Sequence, residues 1–122
     1  MASRVGRAAL VRECLDALDA LESAQTALRE QMRELTSTIR SSRRFLEAGG
    51  LSKQLPELTN ITEHRAANSE ALRRFETARL RAQHAFYRLG AEDGMSAAEI
   101  GRTWGVSRQL VSRILNHGGA RA

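Results

Sequence analysis

Residues 95–115 read Met95-Ser96-Ala97-Ala98-Glu99-Ile100-Gly101-Arg102-Thr103-Trp104-Gly105-Val106-Ser107-Arg108-Gln109-Leu110-Val111-Ser112-Arg113-Ile114-Leu115. Two short helices and the turn between them can be read from this stretch. Ser96 is a good N-cap, and Glu99 stands three residues on, where its carboxylate can reach back to the cap amide. The first helix is expected over Ala97 to Trp104, with Ile100 and Trp104 as its apolar face. Gly105 ends it, because glycine takes the left-handed conformation without cost. Val106 plugs the turn. Ser107 caps a second helix over 108–116, whose apolar side is Leu110, Val111, Ile114 and Leu115. Gly101, with no side chain, sits where the two helices must come close.

Working backwards, Gly90-Ala91-Glu92-Asp93-Gly94 reads as a turn closing a helix that ends at Leu89. That helix starts at Glu57 or Ile61, and Asn60 with Glu63 has capping-box spacing. Its apolar residues are Leu58, Ile61, Leu72, Phe75, Leu80, Ala82, Phe86 and Leu89. The polar stretch His64–Ser69 leaves open a break with Ser69 as a new N-cap. Before it, Gly49-Gly50-Leu51-Ser52-Lys53-Gln54-Leu55-Pro56 is a linker by composition. Gly49 or Gly50 ends the preceding helix, and Pro56 suits the start of the next.

The first segment, from about Val5 to Leu46, has no Gly or Pro after Gly6 and follows a heptad. With Val11 at a, the a positions are Val11, Leu18, Gln25, Met32, Ile39 and Leu46. The d positions are Cys14, Leu21, Leu28, Leu35 and Ser42. Such a stripe predicts a long helix that buries a seam against another helix. Val11, Cys14, Leu18, Leu21, Gln25, Leu28, Met32, Leu35, Ile39 and Leu46 form the expected dimerisation seam. Gln25 at an a position costs stability and can fix register. A fold-back of this helix on residues 57–89 is the competing arrangement, and a hairpin from each of two chains would make a four-helix bundle.

The expected architecture is all-α. A long N-terminal coiled-coil or helical-hairpin segment precedes a C-terminal three-helix head. The sequence divides into 1–56, 57–94 and 95–122, with residues 72–89 lending the head its first helix. The chain has 122 residues and a formal net charge of +5. Residues 1–64 carry equal numbers of basic and acidic side chains, so the whole excess lies in 65–122. From Ala97 to Ala122 the one carboxylate side chain is Glu99. This balance points to a polyanion meeting the second half.

The pattern Ile100, Gly101, Trp104, Gly105, Val106, Val111 and Ile114 resembles the bacterial helix-turn-helix family, as found at the DNA-reading ends of sigma factors, recombinases and small repressors. Gly101 departs from the alanine more usual there. The resemblance covers residues 72–117 and implies double-stranded DNA as partner, with helix 108–116 in the major groove. It implies base readout by Arg108, Gln109, Ser112 and Arg113, since Arg matches guanine O6 and N7 and Gln matches adenine N6 and N7. It implies phosphate contacts by Ser107, Arg102 and Asn116. A dimeric transcriptional regulator is the leading expectation. A nucleoid-associated architectural protein and a coiled-coil adaptor for a protein partner are the alternatives.

Other chemistry is not expected. Cys14 is the single cysteine, so it can form neither an intramolecular disulfide nor a zinc cluster, and its d position suits packing. His64, His84 and His117 are scattered and fit no metal spacing. No nucleophile–base pattern or glycine-rich phosphate loop suggests an enzyme, a metal or a cofactor. No apolar run approaches a membrane span, and the N-terminus lacks the apolar core of a signal peptide, so a cytoplasmic, nucleoid-associated location is expected.

Overall fold

The computed structural model describes residues 4–120, and the side chains of residues 6–117. All its elements are helical: α1 Arg4–Glu47, a 3₁₀ turn Ser52–Gln54, α2 Leu55–Thr59, α3 Ile61–Glu92, α4 Ala97–Trp104 and α5 Arg108–Ala120. Among the described residues no helix is long and apolar enough to cross a membrane. The chain divides into two compact units, residues 1–21 with 78–122, and residues 22–77.

In the first unit, the start of α1 runs antiparallel to the end of α3. Cys14 and Ala17 pack on Ala82 and Ala85, with Leu21, Phe86 and Leu89 around them. Small side chains let the two backbones approach, and dispersion between the helices replaces bulky interdigitation. Two ion pairs lie at one end of this contact, toward the start of α1 and the end of α3. Arg7 Nε donates to Asp93 Oδ1 at 2.8 Å, and Arg88 pairs with Glu13. Burial pushes the Cys14 thiol up from its ordinary value, and the neighbouring Glu13 carboxylate adds to the shift. The thiol is thus a packing group, as its position suggested.

In the second unit, Gln31 Nε2 donates to Asn68 Oδ1 at 2.8 Å, and Arg74 Nη2 to Ser23 Oγ at 3.0 Å. Leu28, Leu35 and Phe45 on α1, with Ala71 and Phe75 on α3, are half-buried. The polar stretch His64–Ser69 does not interrupt α3, because Asn68 meets a polar partner in Gln31. The break held open at Ser69 is absent.

Within one chain the two rows of the seam face different ways. Its d row is turned inward, with Cys14 buried and Leu21, Leu28, Leu35 and Ser42 half-buried. The second inward row is Ala17, Ala24, Gln31, Thr38 and Phe45, not the a row. Of the a row, Leu18 is 40 %, Ile39 48 % and Leu46 49 % exposed. Gln25 is exposed, and Val11 and Met32 are half-buried. Ranking positions by side-chain size favours the a row. An alanine-rich partner such as Ala82 and Ala85 instead selects the row with small residues.

Helix ends follow local chemistry. Gly49, φ +88°, ends α1, with Gly50 N–H on Phe45 O and Gly49 N–H on Leu46 O. Asn60 is a left-handed joint between α2 and α3, φ 50° and ψ 44°. It therefore lacks the extended backbone of the expected capping box. Gly90 does not end α3, which continues to Glu92. The stop is Gly94, φ +95°, whose N–H donates to Ala91 O while Met95 N–H donates to Gly90 O. Gly90 serves close approach instead: a Cβ there would stand 3.2 Å from Met95 Sδ and 3.5 Å from Ile100.

Candidate nucleic-acid interface

The end of the chain is organised around Tyr87, Ile100 and Val111, one from each of α3, α4 and α5, which form a single buried cluster. Met95, Val106, Ile114 and Leu115 pack around it. Tyr87 is fully buried, and its hydroxyl accepts a hydrogen bond from the Gln83 amide. Trp104 is not the core residue that its spacing suggested. It is 41 % exposed and lies edge-on to Tyr87 at 5.7 Å, because Ile100 already fills the slot between α3 and α5.

Both caps form as expected. Glu99 N–H donates to Ser96 Oγ at 3.1 Å, and Ser96 N–H donates back to Glu99 Oε1 at 3.1 Å. These Ser96 bonds hold the Glu99 carboxyl below its usual range, and Arg102 adds a smaller push in the same direction. A carboxyl whose folded-state pKa is lowered stabilises above its unfolded value and loses that contribution as pH falls through the folded one. We expect wild type to be more stable than Glu99→Gln above the ordinary Glu range. The advantage should vanish below that range, read as the difference between two melting curves across acid pH.

Gly105, φ +70°, turns the chain. Val106 N–H then donates to Gly101 O at 2.9 Å, which pins the turn against α4. A Cβ on Gly101 would stand 2.7 Å from the Val106 carbonyl oxygen and 3.4 Å from Arg108 N. These are backbone atoms and cannot swing aside. The alanine more usual at this position would therefore force the turn backbone to shift. Gly101→Ala gains about 1 kcal/mol of helix propensity but meets an overpacking cost of about 1–3 kcal/mol. The expected net outcome is a loss of stability in urea denaturation.

The expected base-reading residues are displayed on one side of α5. Arg108, Gln109 and Arg113 are exposed and Ser112 is half-buried. Arg108, Gln109 and Ser112 line one open groove together with Ser96, Ala97 and Ala98 at the start of α4. Arg113 does not line this groove, nor do Arg102 and Asn116, although all three are exposed. Ser107 Oγ accepts the Leu110 N–H at 3.1 Å, so its lone pairs serve the helix cap and its hydroxyl proton is the part left to donate outward. The α4 terminus was missed as part of the surface. The Ser96 cap was legible in the sequence, but its placement beside Arg108 depends on the angle at which α4 and α5 pack.

The groove can accept an anion along one wall and a hydrogen-bonding edge along the other. Of the first-turn amides of α4, that of Glu99 is taken by the Ser96 cap, and those of Ala97 and Ala98 remain at the positive end of the helix dipole. Arg108 offers five donors in a fixed fork, and Gln109 offers a donor and an acceptor. Comparisons with family models, with curated proteins and with solved structures give no match to this chain.

Proposed function

We propose that the chain is a sequence-reading double-stranded DNA-binding protein, acting as a dimeric transcriptional regulator. The observation that carries this reading is the groove shared by Arg108, Gln109, Ser112 and the α4 N-terminus. Its dimensions of charge and hydrogen bonding fit a duplex: α4 amides toward a phosphate, α5 side chains toward base edges in the major groove. Glu99, the one acidic side chain from Ala97 onward, is engaged with Ser96 and so is oriented into its own cap. The excess positive charge of residues 65–122 supplies nonspecific attraction. Arg102 and Asn116 extend the contact along the DNA backbone beyond the groove, and Arg113, one turn on from Gln109, adds a further base-reading side chain outside it. Two heads held together would read half-sites about one helical turn apart.

Fluorescence anisotropy with duplexes selected from a randomised pool at about 150 mM salt tests the reading. Preference for one sequence over the pool supports it. Tight, sequence-blind binding that falls steeply with salt would point to an architectural role on the nucleoid. No binding would leave the surface to a protein partner.

A further inference from the structure

The row of α1 that the chain leaves open has a symmetry of its own. Along that face run Leu15, Leu18, Glu22, Gln25, Arg29 and Met32, each exposed except the half-buried Met32. On this face and its flank, Asp19 and Glu22 lie before Gln25 and Arg29 and Arg33 after it, while Glu30 and Glu34 stand one residue on from the two arginines, turned around the helix from the face. Among the described residues neither the Glu22 carboxylate nor the Arg29 guanidinium has a side-chain partner within its own chain. The basic half carries an apolar groove, with Leu28, Met32 and Phe75 in its walls and Arg29 and Arg33 at its edge.

We propose that this face of α1 takes a second copy of the chain in antiparallel orientation, with the two-fold axis passing at Gln25. The register follows from the spacing. Gln25 meets its own copy, Leu18 meets the copy's Met32 and seats in the groove, and Glu22 meets the copy's Arg29. Asp19 falls opposite the copy's Arg33 on the flank of the same face. Each charge pair occurs twice, as a two-fold interface requires. A parallel arrangement would put acidic turns level with acidic turns and arginines level with arginines, which is unfavourable. Gln25, whose side chain carries both a donor and an acceptor, can bond its own copy across the axis. The proposal deepens the two-copy part of the reading above and does not depend on DNA binding.

Disulfide trapping in the full-length chain tests it, in a Cys14→Ala background so that only introduced thiols report. Leu18→Cys and Met32→Cys are prepared separately, and circular dichroism confirms that both keep the parent helicity. Each alone is expected to give little covalent dimer under mild oxidation, and the equimolar mixture to give a heterodimer. Cross-linking of Leu18→Cys with itself would overturn the orientation, and a strict monomer at tens of micromolar in sedimentation equilibrium would overturn the dimer. Glu22→Arg and Arg29→Glu are each expected to weaken association about tenfold, and the double variant to recover it. No recovery in the double variant overturns the register. Anisotropy with duplex DNA on the same samples separates the two readings: a monomer that still binds DNA removes the interface and leaves the DNA reading standing.

Discussion

Tyr87→Ala is expected to remove about 3–5 kcal/mol of stability, the range for deleting a large buried aromatic side chain. Domains of this size hold only about 5–15 kcal/mol in all, so the variant would stand near the edge of folding. Tyr87 is fully buried and is the α3 member of the cluster that joins Ile100 of α4 and Val111 of α5. Without the ring, Ile100 and Val111 face a cavity, and Trp104 loses its edge contact at 5.7 Å. Urea denaturation followed by Trp104 emission should show the loss directly, since the only tryptophan lies against the deleted ring. Tyr87→Phe keeps the ring and gives up one hydrogen bond from Gln83, an expected cost of about 1 kcal/mol. A Tyr87→Ala cost as small as that of Tyr87→Phe would show that the ring does not anchor α4 and α5.

Tyr87 also marks where sequence reasoning reached its limit. Periodicity points to Phe86 and Leu89, yet Tyr87, next to Phe86, is the residue fully enclosed with Ile100 of α4 and Val111 of α5. A tyrosine is amphipathic and carries no strong signal of burial until a partner for its hydroxyl, here Gln83, is placed. The same limit explains the seam. Ala17 and Ala24 are the most enclosed residues of α1 after the start of the chain, and small residues weigh little in any apolar count. What could be read was local. The Ser96–Glu99 box, the Gly105 turn and the Ser107 cap depend on residues within one or two turns, and each forms where its pattern placed it. Gly90 and Gly94 show the boundary case, since both glycines fit a helix stop. Only the approach of Ile100 decides that Gly90 makes room while Gly94 takes the positive φ. The display of Arg108 and Gln109 was legible from the apolar stripe of α5. Their shared groove with the α4 terminus was not, because it arises from packing between elements.

On the proposed reading, Arg108→Ala and Gln109→Ala should each cost about 1–3 kcal/mol of discrimination at a single base pair. That corresponds to a loss of roughly five- to 150-fold between the selected sequence and its mismatch. The two changes should differ in kind. Gln109→Ala leaves the charge of the surface untouched, so binding to random duplex should hardly move while the selected sequence loses its advantage. Arg108→Ala removes a cation, so it should weaken binding to both and lower the steepness of the salt dependence by about one ion if that guanidinium also approaches a phosphate. Arg102→Ala supplies the contrast. Arg102 lies on α4 outside the groove, so its loss should reduce affinity for all sequences by a similar factor and leave the preference intact. Measuring the three variants against matched and mismatched duplexes at two salt concentrations separates the roles. Uniform loss in every variant would mean that α5 meets the backbone and does not read bases. Loss of discrimination confined to Arg108 and Gln109 would mean that the α4–α5 groove follows the major-groove edge, with the α4 amides setting the register on the adjoining phosphate.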